Sequence, residues 1–242
     1  MRQFGLIGFP LSHSFSKKYF TTKFSTQGIN ALYENYPIEN IAELRYIIDQ
    51  HPSLEGINVT IPHKLSVITH LHSVSEVVNE IGACNCIRIR NGRLEGFNTD
   101  VVGFDISLSA HLTADHTTAL VLGTGGASKA VCYVLSKKRI SWLQVSRNPG
   151  PDQIDYNDVS PELIRHHKLI INTTPLGMFP NTEACPDIPY DAINETHYLF
   201  DLVYNPAMTL FLKKGKERGA ITENGYPMLE LQAEESWKIW NS

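Results

Sequence analysis

The stretch Thr118-Ala-Leu-Val-Leu-Gly-Thr-Gly-Gly-Ala-Ser-Lys-Ala-Val131 has the residue types needed to hold a pyrophosphate. The apolar, partly β-branched run from Thr118 to Leu122 reads as a buried strand. Gly123, Gly125 and Gly126 then remove the Cβ atoms that would obstruct a tight turn and the close approach of an anion. Ala127 opens a helix to Lys137, whose unpaired N–H groups and positive dipole end would face that anion. Ser128 stands where the general fingerprint has a third Gly or Ala, and a glycine turn between strand and helix is also an ordinary connection. The next strand, Ile140 to Val145, ends in Ser146-Arg147. Folds that prefer NAD place an Asp or Glu about 20 residues after the first glycine, where it accepts from the ribose 2'-OH. Arginine there either suits a 2'-phosphate, and so points to NADP(H), or is an ordinary exposed arginine.

A second set of candidates lies in the first half. Ser14 and Ser16 sit at the start of a helical stretch, where two hydroxyls can donate to one carboxylate; one of them can equally be an N-cap. Asn58-Val-Thr-Ile-Pro-His-Lys64 ends a strand with polar groups alternating with apolar ones. Asn58 and Thr60 share one face of that strand, at the end where open α/β sheets line ligand crevices. Lys64, just beyond Pro62, is placed to begin the next helix and is either a crevice group or a solvated surface lysine. Asp100 is either a functional carboxylate or the cap of the helix that follows it. Asn172-Thr-Thr-Pro-Leu-Gly-Met178 closes a later strand with polar groups and glycine, as a cofactor-facing loop would. A metal site is not expected, because His70-x-His72 lacks a third ligand at useful spacing.

The elements that must carry these groups alternate as strand and helix, the rhythm of an α/β fold. Phe4 to Phe9, Leu32 to Ile38 and Leu54 to Thr60 read as strands, with helices to Gln27, capped by Gly28, and from an Asn40/Glu43 capping pattern to Gln50. Ser73-Val-Ser-Glu76 reads as a capping box for a helix to Ile81. Asn85 to Arg90 and Arg93 to Phe97 form a hairpin around Asn91-Gly92, a two-residue turn with positive φ at both positions. A helix from Val101 to His111 and a polar linker lead into the nucleotide-binding half. There, after a Pro- and Asp-rich loop to Ser160 and a short helix, strands are expected at Lys168 to Asn172 and Leu199 to Val203. A helix is expected from Met208 to Arg218, and Gly225 precedes a terminal amphipathic helix to Trp240. The organisation expected is a first α/β domain over residues 1–101, completed by 226–242, and a parallel-sheet dinucleotide domain over 102–225.

Composition excludes several classes. A net charge of −4 over 242 residues gives no reason to expect nucleic acid or an anionic membrane as partner. No apolar stretch approaches the roughly 18 residues needed to span a bilayer, and Met1-Arg-Gln-Phe-Gly lacks a signal-peptide core, so the chain is expected in the cytoplasm. The four cysteines show no C-x-x-C spacing and suit a reduced core.

Taken together the motifs resemble the shikimate dehydrogenase family along nearly the whole chain. They are Gly8-x-Pro-x-x-His13-Ser-x-Ser16, Asn58-Val-Thr-x-Pro-x-Lys64, Gly82-Ala-x-Asn85, Gly96-x-Asn-Thr-Asp100, Gly123-x-Gly-Gly-Ala127, Thr174-Pro-x-Gly-Met178, Asp201-x-Val-Tyr204 and Gly225-x-x-Met-Leu-x-x-Gln232. The resemblance implies reversible, NADPH-dependent reduction of 3-dehydroshikimate to shikimate, with the C-terminal helix returning to the first domain. It implies that Lys64 and Asp100 meet across the interdomain cleft as the catalytic pair. It also implies that Ser14 and Ser16 hold the substrate carboxylate and that Asn58, Thr60, Asn85, Tyr204 and Gln232 join Asp100 around the ring hydroxyls. For the cofactor it implies Gly123, Gly125, Gly126, Ala127, Ser146, Arg147, Thr173, Leu202, Gly225 and Met228. The expected assembly is a monomer or homodimer. Lys17 replaces the proline usual after the serines, and Pro151 stands where a second basic residue for the 2'-phosphate is usual. A quinate/shikimate dehydrogenase using NAD would share nearly every motif. A catalytically silent metabolite-binding relative would lack the Lys–Asp pair, and a folate-linked NADP dehydrogenase would not explain the serines.

Overall fold

The computed structural model describes residues 1–11 and 14–242, so that His13 of the first motif lies outside the described residues. They form two compact units, Met1–Val102 with Glu230–Ser242, and Gly103–Leu229. The division falls inside two helices, a residue or a few beyond the boundaries that the sequence suggests.

The first unit contains β1 (Arg2–Gly8), α1 (Phe15–Thr26), β2 (Ala31–Pro37), α2 (Glu43–Gln50), β3 (Leu54–Val59), β4 (Ser73–Val74), α3 (Glu76–Ile81), β5 (Cys86–Arg90) and β6 (Arg93–Phe97). Its six strands run in the order β2-β1-β3-β5-β6-β4. The β1–β2 and β1–β3 ladders are parallel, a pairing that requires crossover connections such as those through α1 and α2, whereas β5 is antiparallel to both β3 and β6. The β5–β6 hairpin turns on Asn91 and Gly92 at φ 50° and 73°, the primed turn that asparagine and glycine tolerate. One face is closed by an aromatic cluster of Phe4, Phe20, Phe24, Tyr33 and Trp240. Trp240 seals it from the C-terminal end of the chain: its Nε1 donates to the Ile87 carbonyl at 3.0 Å, and a Cβ on Gly56 would lie only 2.3 Å from that nitrogen.

The second unit takes over within α4 (Asp100–Ser109) and continues through β7 (Thr118–Leu122), α5 (Gly126–Lys137), β8 (Ser141–Val145), β9 (Gln153–Ile154), α6 (Pro161–His166), β10 (Leu169–Asn172), β11 (Tyr198–Asp201), α7 (Leu210–Glu217) and β12 (Ile221–Glu223). Its sheet, ordered β12-β11-β10-β7-β8-β9, has parallel ladders throughout. Strands β7, β10 and β11 are buried nearly end to end, the pattern of a sheet covered on both faces. The chain ends in α8 (Tyr226–Asn241), whose residues from Glu230 onward belong to the first unit.

Three local expectations need correction. The cap of α3 is Ser75, which accepts from the Val78 N–H, because Ser73-Val74 pairs with β6 as a short strand. Lys64 opens no α-helix; a turn leads from it to a 3-10 segment at Ser66–His70. The loop expected to run to Ser160 contains β9, which adds an edge strand beside β8.

All four cysteines are free thiols, and Cys84, Cys86 and Cys132 are buried. Burial pushes the Cys84 thiol up to about 11 and that of Cys132 up to about 12, and raises Cys86 as well. The native chain is therefore expected to react with a thiol reagent only at half-buried Cys185, and all four should react after denaturation. Thiol counting before and after unfolding checks this.

Candidate active site and dinucleotide turn

In the first unit, the candidate residues converge where β3 and β6 end and β5 begins. Lys64 Nζ donates to Asp100 Oδ2 at 2.6 Å, with the two side chains only 16% and 9% exposed. Buried charges persist only when paired and hydrogen-bonded, and Asp100 Oδ1 also accepts from Asn85 Nδ2 at 2.8 Å. Asp100 does not cap α4, because Asn98 Oδ1 accepts from the Val101 N–H. Nor does the pair form between domains: Lys64 and Asp100 both belong to the first unit, which fixes their geometry within one sheet's rim.

Asn85 is aimed by the backbone, since its Oδ1 accepts from the Thr99 N–H at 2.7 Å, which leaves Nδ2 to face Asp100 and the Thr99 hydroxyl. Asn58 is 3% exposed. Its Nδ2 donates to the Asn85 carbonyl and to Ser236 Oγ, and its Oδ1 accepts from Tyr33. Gln232 reaches the same cluster through Thr99, whose hydroxyl lies 3.4 Å from Gln232 Oε1. Thr60 is half-buried at the end of β3, its methyl against Gly8, and its hydroxyl makes no hydrogen bond among the described residues. Tyr33 and Ser236 are the members that motif reading misses. Tyr33 is the one buried residue of β2, and Ser236 lies one helical turn beyond Gln232.

Ser14 does cap α1, accepting from the Lys17 N–H at 3.3 Å. Lysine in place of proline supplies the N–H that this cap requires. Capping uses the serine oxygen as acceptor, so its hydrogen remains able to donate to a carboxylate.

The second unit holds the glycine turn. Gly123 has φ +107°, and a Cβ there would lie 2.8 Å from Thr173 Oγ1, so backbone and space both demand glycine. Thr173 itself is tied to the end of β7, donating from N and Oγ1 to the Leu122 carbonyl. Gly125, by contrast, has an ordinary extended backbone, and a Cβ there would meet nothing within 4 Å. That open space lies at the N-terminus of α5, ahead of Gly126 and Ala127, where no side chain caps the helix. Ser128 fits the third-glycine place because it is buried and its hydroxyl turns back to the Gly125 carbonyl at 2.7 Å.

Beside this turn, Ser146 is buried and accepts from the Asn148 N–H. Arg147 is exposed and has no hydrogen-bond or ion-pair partner among the described residues. Gly225 packs against Leu202 so closely that a Cβ would meet the Leu202 carbonyl oxygen at 2.1 Å. Met228 is buried in the same unit. Tyr204 is half-buried just after β11, which raises its phenol; it belongs to the second unit.

The ends of β10 and β11 are clamped by Asp201, which accepts from Asn172 Nδ2, the Val203 N–H and the Thr209 hydroxyl. Burial raises its carboxyl to about 6 against the pull of those donors. Its unfolded value is about 3.9, so the folded state holds the proton more tightly. The stabilising contribution is complete below the unfolded value and is lost as pH rises through about 6. A carboxyl NMR titration should place the Asp201 midpoint near 6, and a midpoint in the ordinary aspartate range would contradict this.

The two units define an α/β protein that pairs a parallel-sheet nucleotide-binding unit with a unit bearing a buried Lys–Asp pair. Comparison with known proteins supplies the family. The family model described as "Shikimate dehydrogenase substrate binding domain" matches residues 6–87. A shikimate dehydrogenase (NADP(+)) of Methanococcus maripaludis is 35% identical over 98% of this chain and 90% of that protein. The solved shikimate dehydrogenase of Aquifex aeolicus is 35% identical with a TM-score of 0.88, covering 100% of this chain and 92% of that one. That of Thermus thermophilus, solved with NADP(H) and shikimate, is 31% identical with a TM-score of 0.88 over 99% and 93%. The chain belongs to the shikimate dehydrogenase family.

Proposed function

We propose that the chain catalyses the reversible, NADP(H)-dependent reduction of 3-dehydroshikimate to shikimate in the pathway to chorismate and the aromatic amino acids. The observation that carries this reading is the Lys64–Asp100 contact at 2.6 Å, held by Asn85 inside a shielded polar cluster in a chain of this family. The residues present fit the cofactor: open space over Gly125 and an uncapped helix start suit a pyrophosphate, and the unpartnered guanidinium of Arg147 suits a 2'-phosphate. Gly123, Gly125, Gly126, Ala127, Ser146, Arg147, Thr173, Leu202, Gly225 and Met228 would hold it. When bound, NADPH supplies the hydride to the ketone carbon.

The remaining chemistry belongs to the chain. Reduction leaves an alkoxide on the substrate, which must gain a proton while its charge is stabilised. Lys64 gives that proton from Nζ, and in the oxidative direction the neutral amine takes it back. Asp100 orients the ammonium and accepts from a ring hydroxyl, and Asn85 holds Asp100 in place. Ser14 and Ser16 donate to the substrate carboxylate near the positive end of α1. Asn58, Thr60, Tyr204 and Gln232 complete the contacts to the ring. The reading is of a cytoplasmic enzyme, monomeric or homodimeric.

Complementation tests it. Expression of the chain should restore growth without aromatic supplements to a bacterium lacking its own shikimate dehydrogenase, and the Lys64→Ala chain should not. Failure of the wild-type chain, expressed and folded, would remove the proposal.

A further inference from the structure

A run of polar side chains braces the glycine turn, and its hydrogen-bond directions are fixed from both ends. At one end Gln144 Nε2 faces the Gly123 carbonyl at 3.2 Å and Ser128 Oγ at 3.3 Å. The carbonyl only accepts, and Ser128 directs its one hydroxyl hydrogen to the Gly125 carbonyl at 2.7 Å, so toward Gln144 both groups are acceptors. At the other end the Gly150 N–H can only donate, and it meets Gln153 Oε1 at 3.0 Å. Gln144 and Gln153 stand opposite each other in the β8–β9 ladder. The two constraints agree where the amides meet, with Gln153 Nε2 donating to Gln144 Oε1 at 3.4 Å; turning either amide over would set like ends against each other. A trans peptide is planar, so holding the Gly123 and Gly125 carbonyls in this way turns the Thr124 and Gly126 N–H groups to the opposite side, away from Gln144 and Ser128.

We propose that Gln144 is a positioning residue of the dinucleotide site, and that Gln153 links the loop carrying Arg147 to the glycine turn. The inference rests on the cofactor reading above and deepens it with two residues outside the motifs. Neither glutamine meets a phosphate; each acts through the backbone that it holds. Gln144 fixes the carbonyl side of the turn and so the aim of the N–H groups that suit a pyrophosphate. Gln153 secures Gly150, three residues after Arg147, with its side chain and with its own N–H, which donates to the Gly150 carbonyl at 3.1 Å. The Arg147 segment is thereby closed at both ends, since the Ser146 N–H donates to the Ile154 carbonyl at 2.9 Å. Loss of Gln144 should weaken any dinucleotide, whereas loss of Gln153 should weaken chiefly the one that carries a 2'-phosphate. No member of this run belongs to the unit that carries Lys64 and Asp100.

Dissociation constants of NADPH and NADH, read by cofactor fluorescence on the purified chain, test this. Gln144→Met keeps the length of the side chain and removes its amide. The constants for both cofactors should rise about 10-fold, with KM for shikimate within about 2-fold of wild type. Gln153→Met should raise the NADPH constant about 5-fold and leave that of NADH within about 2-fold. An NADPH constant in Gln144→Met within about 2-fold of wild type overturns the role of Gln144. Equal effects of Gln153→Met on the two cofactors overturn the link to the Arg147 loop. A second measurement needs no variant: the side-chain NH2 resonances of Gln144 in the wild-type chain should exchange slowly with solvent and shift when NADPH is added but not with shikimate alone. Fast exchange or unmoved resonances overturn the proposal. NADPH binding by the wild-type chain is measured first. Its absence removes the cofactor reading itself, whereas binding that Gln144→Met leaves unaltered removes only the role of Gln144.

Discussion

Lys64→Ala is expected to lower kcat by roughly 10²- to 10⁴-fold, the range for loss of a positioned proton donor, while KM for NADP stays near that of wild type. The size of the effect follows from the site. The ammonium is mostly shielded and sits 2.6 Å from Asp100, and the Asn85 amide that holds that carboxylate is no proton donor at neutral pH. Asp100→Asn should show a milder loss with weakened substrate binding. It keeps an acceptor for the Asn85 amide but removes the charge that aims the lysine. The measurement is kcat at saturating substrate and neutral pH, with hydride transfer established as rate-limiting by deuterium at the reacting carbon. A Lys64→Ala enzyme within a few-fold of wild type under those conditions would mean that another group delivers the proton.

The second large effect concerns cofactor choice. Arg147→Ala should reduce the ratio of kcat/KM for NADP over NAD by about 10- to 100-fold, the worth of one charge-assisted contact. Arg147 is exposed at the end of β8 and has no hydrogen-bond or ion-pair partner among the described residues, so none of them competes with a phosphate for its guanidinium. Pro151 supplies no second cation, which caps the preference below that of a two-arginine clamp. Ser146, buried and accepting from Asn148, replaces the acidic side chain that would repel the phosphate. An unchanged ratio in Arg147→Ala would place the 2'-phosphate contact elsewhere.

Local signals were legible where one short segment dictates its own geometry. Asn91-Gly92 forms a turn with both residues at positive φ because few other pairs tolerate it, and Gly123 is demanded by its own φ of +107°. Ambiguities of one or two residues arose where neighbouring side chains offer the same chemistry. Ser73 and Ser75 can each cap a helix, and the choice is made by β4 pairing with β6, which no local pattern encodes. Asp100 had two readings, and a neighbouring asparagine at position 98 took the cap and left the carboxylate to Lys64.

What could not be read is the partnership of distant residues. Tyr33 reaches Asn58 across 25 positions and Asn58 reaches Ser236 across 178. Both contacts are created by sheet order and by the return of α8 to the first unit, and neither residue carries a local signature of its role. The same holds for Lys64 and Asp100, 36 positions apart: each looks ordinary alone, and only the fold places them together at the rim of one sheet.

The most direct measurement is a set of initial rates for the purified wild-type chain with shikimate and with quinate, each against NADP and NAD. The highest kcat/KM is expected for shikimate with NADP, with quinate and NAD both poorer. A chain that oxidised quinate with NAD more efficiently than shikimate with NADP, or that turned over neither substrate with either cofactor, would contradict the function proposed for it.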